Sequence, residues 1–383
     1  MKTIKYILTS YLLFSSLSLF PQEINSPEGF GMKTEKMVEV SPVKNQDRTG
    51  TCWSFATTSF LESEILREAG EVVDLSEMFF AYHAYLYKAE NYTRFHGLTN
   101  FGQGGQAHDV LNVIKDHGLV TEKAYEGEKI DGIYNHAELS ENLSALLKAI
   151  TKSKGEKISD SWDEAYQGVL DAYMGKIPDT IMYRKKAVTP LEMVEKFQLQ
   201  PENYVELTSF THQPFYKPFV LEVPDNWSFD LYYNLPLDEL ISVIDHALIN
   251  GYSIAWDGDV SSTGFSHENG LAMVLPGNID KKKPATLFLS PVNEPLIDQE
   301  TRQNKFDNYT TTDDHLMHVV GIAHDKDGTK YYITKNSWGE NSNNFGGYLF
   351  MSEAFMRLNT IAVMVNKKAL PSKTEENLKM TAN

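Results

Sequence analysis

The 383-residue sequence predicts an α+β fold, with helices concentrated before about residue 200 and strands after it. Two observations carry this. Apolar residues recur at helical spacing through 52–69, 75–91 and 107–117, and the charged stretch 126–200 keeps a helical pattern. Beyond 204 they alternate or fall in short blocks such as 316–322 and 330–335, separated by Pro, Gly and Asp-Gly turns.

Hydrophobic residues make up 42% of the chain and charged residues 23%, enough apolar material for a sizeable core. A formal charge of −17 weighs against nucleic acid and anionic membrane surfaces as partners and serves solubility. Lys2 and Lys5 precede a charge-free apolar run that reaches Gln22 and is broken by serines. This is the pattern of a signal peptide over 1–20 rather than a membrane span. No later stretch is apolar for long enough to cross a bilayer, so the expectation is an exported protein, periplasmic or secreted, with no membrane contact in its mature form. Cys52 is the only cysteine, so no internal disulfide is available.

In chain order, 21–45 is a polar approach with a turn at Ser26-Pro27-Glu28-Gly29, too short for a folded inhibitory pro-domain. From Cys52 to Ala69 the apolar residues first surround the helix and then narrow to one side as Glu62, Glu64, Arg67 and Glu68 enter. That predicts a helix buried at its start, wet at its end and capped by Gly70. Leu75-Ser76-Glu77 opens an aromatic-rich second helix running to about Asn91. Gly102-Gln103-Gly104-Gly105-Gln106 precedes a third helix, 107–117, without the Gly-Lys-Ser ending of a phosphate loop. Residues 126–200 hold no titratable cluster at catalytic spacing and read as an accessory insertion. Residues 204–234 read as strands and loops, 237–249 as an amphipathic helix and 252–256 as a strand. Asp257-Gly258-Asp259 reads as a turn, because no His or Cys joins the carboxylates to make a metal site. Residues 276–312 read as loop, and three strands follow before a polar tail from 371.

Cys52 lies where a polar loop enters a helix, and the helix dipole there favours the thiolate. A cysteine nucleophile needs a base, a group to orient that base and donors for an oxyanion. His318 in an apolar strand and Asn336 at the end of the next are placed to meet across antiparallel strands. Gln46, on the loop entering the helix, offers an amide beside the Cys52 backbone N–H. His315 and His324 read as surface residues.

Gln46…Gly50-Thr51-Cys52-Trp53-Ser54-Phe55-Ala56, His318-Val319-Val320-Gly321 and Lys335-Asn336-Ser337-Trp338-Gly339 resemble the three signature blocks of papain-like cysteine peptidases, in that family's order. Within it the chain is most similar to the bleomycin hydrolase and aminopeptidase C branch. The interval from Cys52 to His318 far exceeds the ~130–150 residues of the papain type, and Gly104-Gly105-Gln106 and 254–260 resemble that branch. Thr49 and Thr51 replace residues of the papain signature around Cys52.

The resemblance implies a two-lobe fold after a signal peptide: a helical lobe over about 40–125, a large mainly helical insertion over about 126–235, a β-barrel-like lobe over about 236–366 and a mobile tail at 367–383. It implies Cys52 as nucleophile, His318 as general acid and base, Asn336 as its orienting group and Gln46 as oxyanion donor. Trp338 shields the Asn336–His318 bond, and Gly104 and Gly105 admit substrate backbone. It further implies peptide substrates, no cofactor and no metal, an acyl-enzyme thioester, aminopeptidase or oligopeptidase action, and a homo-oligomer, hexameric in that branch. Endopeptidase action, or a catalytically silent peptidase-like scaffold, are the alternatives.

Overall fold

The computed structural model describes residues 24–152, 157–277 and 287–380; the signal peptide expected over 1–20 lies outside them. Strand β1 (Lys33–Met37) leads to the long helix α1 (Cys52–Ala69), followed by α2 (Glu77–Arg94) and α3 (Ala107–His117). Next come α4 (Ala137–Lys152), α5 (Trp162–Met174), the hairpin β2 (Ile181–Tyr183) and β3 (Lys186–Val188), and α6 (Pro190–Phe197). The strands β4 (Tyr204–Thr208), β5 (Pro218–Val220) and β6 (Leu231–Asn234) precede α7 (Leu237–Ile249) and β7 (Ile254–Gly258). Then β8 (Phe265–Ser266), β9 (Leu271–Ala272), α8 (Gln299–Asp307), β10 (His315–His324) and β11 (Lys330–Lys335) follow. The described chain ends with β12 (Tyr348–Ser352), α9 (Glu353–Asn359), β13 (Thr360–Asn366) and α10 (Ser372–Leu378).

Helix α1 is the axis of the molecule. It is buried without interruption from Cys52 to Ile65, then surfaces and stops at Gly70, whose φ of 65° suits a left-handed cap. Its other side lies on β10. That strand is the spine of an eleven-stranded mixed sheet, ten of its strands ordered β5-β6-β4-β13-β7-β10-β11-β12-β9-β8, with β1 pairing to β10 off this path. Residues 315–319 of β10 pair with β7, and 321–324 pair with β1. The switch occurs at Gly321, where a β-carbon would run into the Lys36 carbonyl. Alternate residues point to opposite faces of a strand. Leu316 and Ala255 accordingly join the core around α1, whereas Met317, Val319 and Trp256 pack on α7.

Three expectations change. The insertion over 126–235 is divided between the lobes. Leu139 and Leu143 of α4, Tyr166 and Leu170 of α5 and Phe197 of α6 share one core with Trp53 and Phe79, while β4 pairs with β13 and extends the sheet. The loop expected over 276–312 contains α8, a helix almost without apolar residues. It is held instead by buried Arg302, which donates to the Ser209 and Arg357 carbonyls at 2.8 and 3.1 Å. Within the tail expected to be mobile, residues Ser372–Leu378 form α10. Thr374 and Leu378 are buried there, and the Thr374 hydroxyl donates to Glu239 of α7 at 2.8 Å.

Candidate active site

The loop before α1 is tied to itself and to the loop after β11. Gln46 donates through Nε2 to the Thr49 carbonyl at 2.7 Å and accepts at Oε1 from the Ser337 hydroxyl at 2.6 Å. Its backbone N–H donates to the Ser337 carbonyl at 2.8 Å. A primary amide has two N–H donors, so one Gln46 hydrogen remains after Thr49 is served. Trp53 Nε1 donates to the Gln103 carbonyl at 2.9 Å, and the Gln103 side chain accepts from the Gly50 N–H at 2.7 Å. These bonds fix the first turn of α1, whose Cys52 N–H has no acceptor within the helix.

Cys52 is 9% exposed, and the Leu316 amide hydrogen-bonds to its sulfur, seating the start of α1 on the start of β10. Burial pushes the thiol up to about 12; the Leu316 N–H works against this, and the carboxylates of Asp313, Asp225 and Asp257 add to it. The lowered thiol pKa expected from the helix dipole is therefore reversed by desolvation and by neighbouring negative charge.

Asn336 pairs with a histidine three residues before the one expected. Asn336 does not orient His318: its Oδ1 lies 2.8 Å from His315 Nε2. An amide oxygen only accepts, so His315 carries its proton on Nε2 and presents the Nδ1 lone pair. Asn336 Nδ2 in turn donates to His267 Nδ1 at 3.2 Å, so both ends of the amide are engaged. Trp338 covers this group, with its ring centroid 5.0 Å from that of His315 and 4.8 Å from that of His267. His315, expected at the surface, is only 5% exposed, and burial lowers its pKa.

His318 faces α1 instead. Its Nδ1 lies 2.8 Å from the Ser59 hydroxyl, and Lys335 Nζ donates to the same hydroxyl at 2.7 Å. Burial first, and the Lys335 charge second, hold the His318 pKa well below its ordinary value. A histidine beside a buried ammonium is poorly placed to take up a proton.

Both glycines singled out by sequence have an internal reason. A β-carbon at Gly104 would overlap the Asp225 carboxylate, and one at Gly105 would lie 2.6 Å from Asp109 Oδ2 and 3.0 Å from the Trp53 ring. Lys88 donates to the Gly102 carbonyl at 3.0 Å and to the Gly104 carbonyl. Sequence reasoning missed His315, His267, Asp225 and Asp313. It took Asp257 for a turn residue, and Asp257 is a buried member of β7 opposite Leu316.

A lone thiol at the head of a central helix, seated against a sheet that carries an imidazole–amide pair, is the architecture of the papain-like cysteine peptidases. A model of the Peptidase C1-like family matches residues 172–383, and one of the papain family cysteine proteases matches 26–199. The chain belongs to the Peptidase C1-like family, in the bleomycin hydrolase and aminopeptidase C branch, and is a cysteine-type peptidase. It is 24% identical to Aminopeptidase G of Lactobacillus delbrueckii subsp. lactis, over 88% of this chain and 84% of that one. Over 95 residues, 24% of each chain, it is 37% identical to a Cathepsin L-like peptidase of Aedes aegypti. The crystal structure of PepW from Lactobacillus rhamnosis superposes with a TM-score of 0.70 at 21% identity, covering 91% of this chain and 84% of that one, a likeness of fold.

Proposed function

We propose that the protein is an aminopeptidase or oligopeptidase in which Cys52 is the nucleophile, His315 the general acid and base, Asn336 its orienting group and Gln46 an oxyanion donor. The observation that carries this reading is the Asn336 Oδ1–His315 Nε2 bond at 2.8 Å, on the strand residue adjacent to the one whose amide holds the Cys52 sulfur. With the thiol raised and the imidazole lowered, the resting pair is neutral, and the proton moves to His315 Nδ1 as sulfur attacks the scissile carbonyl. The oxyanion is met by the spare Gln46 N–H and the Cys52 backbone N–H. Collapse breaks the C–N bond, and His315 returns its proton to the leaving amine. Water, deprotonated by the same nitrogen, then cleaves the thioester and releases the acid.

The names of the full-length relatives support the exopeptidase part of the reading. The test is hydrolysis of free and N-acetylated aminoacyl and peptidyl fluorogenic substrates by wild type, Cys52→Ala and Cys52→Ser. Loss of turnover in both variants is expected; wild-type rates in either would end the proposal. Export belongs to the same proposal and rests on the charge-free run up to Gln22. Fractionation of cells expressing the chain with and without residues 1–20 decides it, and equal cytoplasmic retention of both would refute it.

A further inference from the structure

Beside the nucleophile lies a pair of carboxylates with no positive partner. Asp257 of β7 sits opposite Leu316, the residue whose amide holds the Cys52 sulfur. It is 3% exposed, and neither of its carboxylate oxygens meets an N–H or O–H donor. Its polar contact is a second carboxylate, Asp313, two residues before His315. Asp313 accepts from Gln106 Nε2 at 2.9 Å and from the Asp225 backbone N–H. Among the described residues neither carboxylate has a salt-bridge partner. The nearby cations are engaged elsewhere: Lys88 on the Gly102 and Gly104 carbonyls, His108 on Glu206 at 2.7 Å. Asp225, held by Asn100 at 2.9 Å, covers the pair from the Gly104 side and adds a third negative charge.

A carboxylate buried with no donor is unfavourable, and two in contact repel unless a proton or a cation lies between them. The Asp313 end of the pair is reachable. Asp313 is one wall of an open cavity of about 510 Å3 whose other lining residues include His212, Glu222, Phe306, Tyr309 and Thr312. Among the described residues no group of three or more acidic, His or Cys side chains has the arrangement to hold a metal ion.

We propose that Asp257 and Asp313, with Asp225 beside them, form a binding site for a primary ammonium group of the peptide substrate, placed next to Cys52. The ammonium takes the position between the carboxylates and donates to Asp257 the hydrogen bonds that no N–H or O–H of the chain supplies. Two parts of a peptide carry this group, the free N-terminus and a lysine side chain. The site deepens the peptidase reading above and rests on it for the turnover measurements alone. An α-ammonium held there would set where the chain is cut, making the enzyme an aminopeptidase by charge recognition within the sheet and the loop before it. Asp225, Asp257 and Asp313 are in this view binding residues, distinct from the groups that move protons.

The experiment has a turnover arm and a binding arm. In the first, kcat/KM is measured for leucyl-aminomethylcoumarin against its N-acetyl form, and for N-acetyl-lysyl-leucyl-aminomethylcoumarin against the N-acetyl-norleucyl analogue. We expect at least one ammonium-bearing substrate to exceed its neutral partner by thirtyfold or more in wild type, and the gap to fall below threefold in Asp257→Asn and Asp313→Asn. Preference in the first pair identifies the N-terminus; preference in the second identifies lysine. Equal use of charged and neutral partners by wild type, or equal losses on both in the variants, would overturn the site while leaving the peptidase intact.

The binding arm needs no catalysis and no carboxylate variant. Cys52→Ala is titrated calorimetrically with leucinamide and N-acetyl-leucinamide, and with N-acetyl-lysinamide and N-acetyl-norleucinamide. Tenfold or tighter binding of an ammonium-bearing member supports the site even if turnover is absent. Indistinguishable affinities in both pairs refute it even if turnover is fast.

Discussion

His315 and His318 stand three residues apart on one strand and are almost equally buried, at 5% and 1% exposure. An odd interval on a strand sends the two side chains to opposite faces. His315, at the open end of β10, meets Asn336 and Trp338; His318, in its interior, meets Ser59 of α1 and the Lys335 ammonium behind it. Burial does not distinguish a proton carrier from a structural histidine here. The partners differ: an amide oxygen fixes one ring nitrogen of His315 and leaves the other open, as the proposed proton carrier requires, while a neighbouring cation disfavours protonation of His318.

The largest expected effect separates the two rings directly. His315→Ala should lower kcat/KM by about 10⁴-fold, the upper range for loss of a general acid–base. His318→Gln should leave kcat/KM within a few-fold and instead lower stability by roughly 1–3 kcal/mol, since Ser59 loses a buried partner. Steady-state kinetics and urea unfolding on the two variants settle it, and the reverse pattern would restore the expectation built on His318. Next in size is Gln46→Ala. Removing one oxyanion donor should cost about 10²–10³ in kcat with little change in KM. A rise in KM alone would reduce Gln46 to a loop tie through Thr49 and Ser337. Asn336→Ala should cost roughly a hundredfold through misplacement of the base, and by the same logic it should be silent in a protein already carrying His315→Ala.

Much of the site was legible because its blocks are local. The burial of α1 follows from apolar residues that first surround the helix and then narrow, and Gly70 ends it as expected. Cys52 heads α1 and Asn336 directly follows β11, as their local contexts indicate, although Asn336 does not meet His318. The Asn336 partner was not legible because the run from His315 to His324 is apolar on both faces, so no alternation marks which histidine faces that amide. Asp313 and Asp257 were visible as acids but not as a pair, since the contact depends on the register of β7 against β10. Asp225 gave no signal at all: it comes from a stretch read as accessory, which the fold brings back over Gly104. Helix α8 escaped because it has no apolar stripe; buried Arg302, the Asp298 cap and Phe306 against Phe210 hold it.

The smallest effect tests the ammonium held beside His318. Burial lowers Lys335 to about 8, with the charge of Lys44 assisting and those of Glu62, Glu77 and Asp74 opposing. Lysine in the unfolded chain titrates near ~10.4. Below about pH 8 the folded protein bears the full cost of a buried ammonium. Between pH 8 and ~10.4 the unfolded state binds more protons than the folded one, so stability rises with pH, by a contribution on the order of 3 kcal/mol for this group. Lys335→Met removes that contribution. Measured against wild type by chemical unfolding, the variant should compare best near pH 7 and fall behind as pH passes through the window, because the neutral amine keeps its bonds to Ser41 and Ser59 without the cost of the charge. A wild-type-minus-variant difference that stays flat from pH 7 to 10.5 would mean that no ammonium is held at position 335, and that burial alone silences His318.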